Sequence, residues 1–486
     1  MLPLRLGPKV GLVTLGCDKN TVDSERYLAQ LMARGVEPTD DLGEADIIVV
    51  NTCGFIDAAK RESLDAIVDA GRQKAGGRCR ALVAVGCMVQ RHKTELAESL
   101  PEVDFFLGSS EVERLVPELE ARGLLGDAPD MHPGERIYAG TAPHVRYLKV
   151  SEGCDHGCAF CAIPLMRGRH RSFALEDVIR EAQLLEVQGA REVNLVAQDL
   201  AHYGRDLPGR FTLPGLLDAL VRETSIPWIR LHYLYSAGIT PALLEVVARE
   251  PRIVRYLDMP IQHASDTVLA RMRRPERKRT IREKVARYRD AIPGVAIRTT
   301  CIVGFPGETE ADFSELLDFL EETGFDRVGA FTYSAQEGTR AASLDDDVPD
   351  VTKRDRLERL TELQRAITGE RYERHVGATA RLLVNEPAGV DGLASARAGW
   401  QADDIDGVTW LATSAPAGTF VDATIEMVED DYDFRATLLR VASERSPVVV
   451  SRSRTLPQIE AIAALPRPSS LVPRPAPLVS TGSFGR

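Results

Sequence analysis

Short apolar runs alternate with amphipathic helical stretches along most of this chain. That order commits a sheet to parallel pairing, because each strand must cross over through a helix. In the first 125 residues VGLVTLGC, ADIIVVNTCG and ALVAVGC are rich in Val and Ile, and each closes on a Gly–Cys or Cys–Gly pair. SERYLAQLMARG and AAKRESLDAIVDAGRQ lie between them with helical periodicity. The pattern predicts an α/β chain that begins with a doubly wound parallel sheet over residues 1–125. Residues 126–141, GDAPDMHPGERIYAGT, are rich in Gly and Pro and read as a linker. A second series over 142–375 carries the strands VRYLKVSEG, REVNLVAQD, WIRLHYLY, RYLDMPIQ, VAIRTTCIVGF and DRVGAFTYS, and ends in one long charged helix at 350–374. It predicts a full or partial α/β barrel with its chemistry at the carboxyl ends of the strands. Over 376–442 the segments ATARLLVN, DGVTWLAT and DATIEMVE predict a small antiparallel β-barrel. The Pro-, Ser- and Arg-rich stretch 443–486 has the composition of a disordered tail.

The chain has 486 residues, eight cysteines and a net charge of −12. Its first residues lack the basic–apolar–small order of a signal peptide. No apolar run reaches the roughly 18 residues that span a bilayer. A cytoplasmic protein with no membrane association is therefore expected, and its cysteines point to metal binding or catalysis rather than disulfides. The acidic balance disfavours gripping nucleic acid as the main task and suits a basic partner.

Cys154, Cys158 and Cys161 stand at a C-x3-C-x2-C spacing directly after the strand VRYLKVSEG. Three thiolates are soft ligands for an iron–sulfur cluster or zinc. Three ligands on a four-iron cluster leave one iron open to substrate. On the zinc alternative, His156 or His170 would be the fourth ligand. A second set, Cys17, Cys53 and Cys87, is dispersed in sequence, but each member ends a predicted strand. Strand ends of a doubly wound sheet share one crevice, so these thiols are expected to converge on a second cluster. Cys79 and Cys301 fall outside both sets and read as ordinary core or surface thiols. Gln198 and Asp199 end the strand VNLVA, within reach of cofactor or substrate. Gly304 and Gly307, in the turn Gly-Phe-Pro-Gly-Glu that ends at Glu308, would let backbone approach a cofactor closely.

The local trio resembles the motif of radical S-adenosylmethionine (SAM) enzymes. Both trios together, with the barrel that follows, resemble the methylthiotransferases over about residues 8–441. These combine a three-cysteine domain, a radical SAM domain and a C-terminal TRAM barrel. Several segments look like the branch that acts on an aspartate of ribosomal protein uS12: Leu15 to Asn20 with Val22 to Glu25, Ala162 to Pro164 with Arg167-Gly168 and Arg171-Ser172, Gln198-Asp199 with His202 to Gly204, and Asp258 to His263. The resemblance implies two [4Fe-4S] clusters, with SAM on the cluster of Cys154, Cys158 and Cys161 and with Phe160 near its adenine. It implies hydrogen abstraction from the aspartate β-carbon, and sulfur supplied at Cys17, Cys53 and Cys87 and methylated by a second SAM. It also implies an electron donor such as flavodoxin or ferredoxin.

The last domain bears on the partner. Residues 376–441 hold four arginines against eleven acids, a poor RNA clamp and a fitting dock for a basic ribosomal protein. Trp400 and Trp410 belong either to its core or to that dock. Arg167, Arg169, His170 and Arg171 either meet the carboxylate of SAM or substrate or form a solvated face. Two rival functions remain at this point: a transfer-RNA adenosine methylthiotransferase, and a non-enzymatic iron–sulfur sensor or electron carrier.

Overall fold

The computed structural model describes residues 7–125, 136, 142–209, 211–430 and 432–442. The expected linker, apart from Arg136, and the expected disordered tail lie outside them. Among the described residues no helix is long and apolar enough to cross a membrane.

The first unit is a parallel sheet of β1 (Lys9–Thr14), β2 (Glu37–Pro38), β3 (Ile47–Thr52), β4 (Ala81–Gly86) and β5 (Phe105–Gly108) in the order β2-β1-β3-β4-β5. The chain reverses direction across the sheet between β1 and β3, so their carboxyl ends open a crevice. Helices α1 (Asp18–Ala33) and α4 (Leu115–Ala121) bury Leu28, Leu31 and Leu119 on one face. Helices α2 (Asp57–Gly76) and α3 (Cys87–Ser99) bury Ile67, Ala70 and Val89 on the other. With both faces covered, β3 and β4 are apolar-rich and buried at every position.

The second unit is a six-stranded parallel sheet of β6 (Val145–Lys149), β9 (Glu192–Val196), β10 (Trp228–Leu231), β11 (Ile253–Asp258), β12 (Ala296–Val303) and β13 (Arg327–Thr332), each strand beside its successor. The two-residue strands β7 (Ser151–Glu152) and β8 (Arg171–Ser172) pair beyond its edge. Helices α5 (Ile163–Arg167), α6 (Leu175–Val187), α7 (Leu213–Glu223), α8 (Pro241–Arg249), α9 (Asp266–Arg271), α10 (Lys278–Ala291), α11 (Glu310–Thr323) and α12 (Asp350–Glu373) complete it. This is the partial form of the expected barrel. Strand β10 stops at Leu231, short of the predicted run, because Tyr233 takes a left-handed φ of 60° that no strand accommodates.

The third unit is a closed five-stranded barrel of β14 (Thr379–Glu386), β15 (Ala394–Ala398), β16 (Thr409–Leu411), β17 (Phe420–Glu429) and β18 (Asp433–Val441). It packs on the amino-terminal ends of the six-stranded sheet. Trp228 meets Phe420 edge to face, with centroids 5.0 Å apart, and Tyr256 donates to Asp406 at 2.5 Å. At the same joint Glu192 accepts from Arg230 Nε at 2.6 Å and Arg397 Nη2 at 2.7 Å, and all three side chains are fully buried.

Candidate active site

Cys17, Cys53 and Cys87 follow β1, β3 and β4, at the crevice between β1 and β3. Glycine is required beside them. Gly16 has φ +93°, and a Cβ there would stand 2.9 Å from Cys53 Sγ; Gly86 has φ +101°, and its Cβ would meet Asn51 Oδ1 at 2.5 Å. Asn20 ties the three loops together. Its Nδ2 donates to the carbonyls of Leu15 at 2.7 Å and Thr52 at 3.1 Å, and Cys87 Sγ lies 3.9 Å from its Oδ1. Burial pushes the Cys53 thiol up to about 12 and the Cys87 thiol to about 11, and Cys17 adds to both shifts. The three sulfurs therefore share one desolvated place.

Cys154, Cys158 and Cys161 lie in the loop between β7 and α5. Gly153, at φ +78°, lets that loop pass Arg169, whose carbonyl would stand 2.1 Å from a Cβ. The amide of Ala159 donates to the carbonyl of Met272, and its carbonyl accepts from Ala341. Burial raises the Cys154 thiol to about 11 and that of Cys161 to about 12. Arg274 Nη1 lies 3.8 Å from Cys158 Sγ.

Arg167 ends α5 and stands beside Cys17 and Cys87. Its Nη2 donates to Asn20 Oδ1 at 2.5 Å, and its Nη1 reaches Asp23 at 2.7 Å and Glu152 at 3.3 Å. Lys149 pairs with the same two acids. Burial alone would raise the Asp23 carboxyl, but Lys149 and Arg167 outweigh it and hold it at about 2. Arg167 is thus a buried member of the site, whereas Arg169 and Arg171 are exposed. Arg136 reinforces the same face. Its guanidinium is fully buried between Glu25 of α1 and Glu181 of α6.

The remaining expected residues divide. Gln198 donates to Glu152 Oε1 at 2.9 Å, and its own Oε1 is buried without a partner. Asp199 is committed to protein: one oxygen accepts from the amides of Ala201 and Tyr235, and the other takes both His156 and His202. His156 stacks on Tyr235 at 3.8 Å, so Asp199 steadies the cysteine loop through an imidazole. Phe160 packs with Met272, Phe305 and Tyr333 in one apolar cluster beside its cysteines. The turn glycines lie against side chains from two helices. A Cβ at Gly304 would meet Lys353 Cγ at 2.3 Å, and one at Gly307 would overlap the Arg271 guanidinium. Glu308 accepts from Arg356 at 2.9 Å and from the Phe305 amide at 3.1 Å, so its carboxylate holds the turn itself. Sequence reading gave no role to Asn20, Arg274, Tyr233 or Tyr235, although Asn20 stands in one of the segments that carry the resemblance.

The donor sets fit iron–sulfur clusters better than zinc. Sulfurs on one tetrahedral zinc lie about 3.8 Å apart. Among the described residues, the only three ligand-type side chains with atoms within 4.8 Å of one another are His156, Asp199 and His202. His156 gives Nε2 to Asp199, and His170 gives Nε2 to Ser172. Each trio offers three thiols and leaves a fourth position open, and the orphan Gln198 Oε1 is an acceptor suited to an ammonium such as that of SAM.

Residues 9–108 match the family model UPF0004, an uncharacterised protein family, and residues 148–320 match the radical SAM superfamily. The structure is similar to a radical SAM methyltransferase, TsrM from Kitasatospora setae with cobalamin and a [4Fe-4S] cluster bound, at a TM-score of 0.51 and 13% identity, covering 82% of this chain and 78% of that one; this likeness concerns the fold. The ribosomal protein uS12 methylthiotransferase RimO of Anaeromyxobacter sp. (strain K) is 48% identical over 412 residues, 84% of this chain and 88% of the relative. That of Geobacter sulfurreducens is 43% identical over 435 residues, 87% of this chain and 97% of the relative, and that of Myxococcus xanthus 41% over 474, 96% and 97%. With relatives of this identity and coverage, the chain belongs to the RimO family of radical SAM methylthiotransferases.

Proposed function

We propose that this protein adds a methylthio group to the β-carbon of an aspartate in ribosomal protein uS12. The observation that carries the reading is a chain of this family in which Cys17, Cys53 and Cys87 end three strands of one sheet at a shared desolvated place and Cys154, Cys158 and Cys161 share one loop of the radical SAM unit. When bound, a cluster with SAM at Cys154, Cys158 and Cys161 supplies hydrogen-atom abstraction, and a second cluster at Cys17, Cys53 and Cys87 supplies the sulfur that SAM methylates.

The residues then have distinct tasks. Gln198 Oε1 receives the SAM ammonium, and Phe160 gives the adenine an apolar wall. Asp199 fixes the cysteine loop through His156. Asp23, Glu152, Lys149 and Arg167 form an ionic cluster that ties α1 to the strand end and helix flanking the Cys154 loop.

uS12 is a basic partner in this proposal, docked on the C-terminal barrel. Of the eleven acids counted there, Asp403, Asp406, Asp422, Glu429 and Asp433 are spent on arginines or on Trp410 and Asp431 lies outside the described residues, so the proposed dock centres on exposed Glu386, Asp391, Glu426 and Asp430. Trp400 stacks on His375 at 3.9 Å and belongs to the barrel packing. A flavodoxin or ferredoxin in the cytoplasm is the proposed electron donor. Mass spectrometry of uS12 from cells with and without the gene tests the function. The modified mass must vanish on deletion; its persistence, with loss of 2-methylthio-adenosine from transfer RNA, would favour the transfer-RNA rival.

A further inference from the structure

Buried cations on the face between the two cysteine trios are neutralised one by one. Lys149 and Arg167 share Asp23 and Glu152, Arg274 has Glu276, and Arg298 has Asp258. Lys19 departs from this pattern. It is 6% exposed, and its ammonium lies 3.1 Å from the centroid of the Tyr233 ring, with no carboxylate in ion-pair reach among the described residues. The nearest acid in sequence, Asp18, is already engaged by the Tyr233 hydroxyl at 3.1 Å. A ring face only partly repays the desolvation of an ammonium, so this position favours an incoming anion.

Place and chemistry together select the anion. Lys19 is two residues after Cys17, on the sulfur-supplying side. Tyr233 follows β10, one of the two central strands of the partial barrel, at the carboxyl end where the chemistry of such barrels sits. Tyr233 is held there in a left-handed conformation with its amide on Asp258 at 3.1 Å, the kind of local strain that persists where surrounding structure fixes a functional group.

We infer that Lys19 is the specificity-determining residue that receives the carboxylate of the target aspartate. This rests on the uS12 reading above. The carboxylate carbon of an aspartate is bonded directly to its β-carbon. Anchoring the carboxylate on Lys19 therefore fixes the carbon to be sulfurated within two bonds of the held oxygens, beside Cys17. An adenosine base has no carboxylate to offer, so the same ammonium discriminates between a protein and a nucleoside target.

The test is equilibrium binding of labelled uS12 to anaerobically reconstituted holoenzyme, using wild-type uS12 and uS12 with its target aspartate changed to asparagine. The wild-type enzyme should prefer the aspartate form by about 10- to 100-fold, the range of one charged hydrogen bond. Lys19→Met should bind both forms equally and weakly, and Lys19→Arg should restore part of the preference. Iron and sulfide content of each variant gives the second readout. Lys19→Met that retains both clusters and still prefers aspartate overturns the inference. So does Lys19→Met that loses the iron of the Cys17 site, because Lys19 then serves the cluster. A wild-type enzyme that binds uS12 without preferring aspartate also overturns the inference alone, and one that binds neither form overturns the uS12 reading with it.

Discussion

Glu192→Gln tests how the two barrels are joined. Glu192 opens β9, and its carboxylate is the shared counter-ion of Arg230, in the neighbouring strand, and Arg397, in the C-terminal barrel; none of the three side chains meets solvent. Gln keeps the shape and removes the charge, leaving two buried guanidiniums with Asp403 as the remaining carboxylate partner of Arg397. Removing one partner of a buried ion pair costs about 3–5 kcal/mol. The titration of the group gives an independent figure. Burial would raise its carboxyl, but Arg230 and Arg397 prevail and hold it at about 2 against an ordinary 4.5, which is worth about 3 kcal/mol at neutral pH. Because the folded value is depressed, this stabilisation is complete above pH 4.5 and is lost as pH falls towards 2. Urea unfolding of the apo-protein, followed by tryptophan fluorescence, reports on the joint directly, since Trp228 and Trp400 pack there. The variant should be about 3 kcal/mol less stable at pH 7, with the gap to wild type closing between pH 4.5 and 2. A loss under 1 kcal/mol at pH 7, or a gap that does not change with pH, would refute the reasoning.

Three further outcomes follow from the site. Gly16→Ala places a methyl group against Cys53 Sγ at a positive φ, so reconstituted protein should carry iron for one cluster instead of two, with the Cys154 site still visible by electron paramagnetic resonance. Gln198→Leu removes the orphan acceptor and should weaken SAM binding about 10-fold in equilibrium dialysis while leaving iron content intact. Arg167→Gln leaves Asp23 and Glu152 to Lys149 alone beside the Cys17 site, and a potentiometric titration of that cluster should move to more negative potential by on the order of 100 mV, the size of one charge about 6 Å away at an effective dielectric of 20.

The architecture was legible wherever burial covers both faces of a strand. β3 and β4 read as continuous apolar runs, and the Gly–Cys pairs that end them gave away a convergent trio that no local spacing could reveal. β5, β15 and β18 were not picked out: β5 is four residues long, β15 reads Ala-Ser-Ala-Arg-Ala with no β-branched residue, and β18 becomes strand through its pairing with β17. Side-chain roles were legible only where the chemistry was local. Arg167 sits in a basic run that reads equally well as a solvated face, and its partners Asn20 and Asp23 are more than 140 residues away. Gly304 and Gly307 were expected to let backbone approach a cofactor; the side chains packed against them come from α9 and α12, which sequence proximity does not disclose. The acid count of the C-terminal barrel overstated its free charge because buried arginines from two domains consume part of it.

Arg136 has a consequence for the order in which the molecule is assembled. Glu25 belongs to the first unit, yet its buried partners, Arg136 and Arg146, are synthesised more than a hundred residues later, and Glu181, which shares Arg136, later still. Until they emerge from the ribosome, α1 presents Asp23 and Glu25 to water as an acidic flank. Sealing that flank takes two carboxylates out of water, Glu25 onto Arg136 and Arg146 and Asp23 onto Lys149 and Arg167. The connecting segment is then pinned at Arg136 and cannot act as a free tether: Tyr147 accepts from its guanidinium at 2.7 Å, and Gln188 donates to its carbonyl at 2.9 Å. Residues on both sides of that segment, Glu25 before it and Arg146 and Glu181 after it, thus meet in one buried knot that ties the first sheet to the partial barrel.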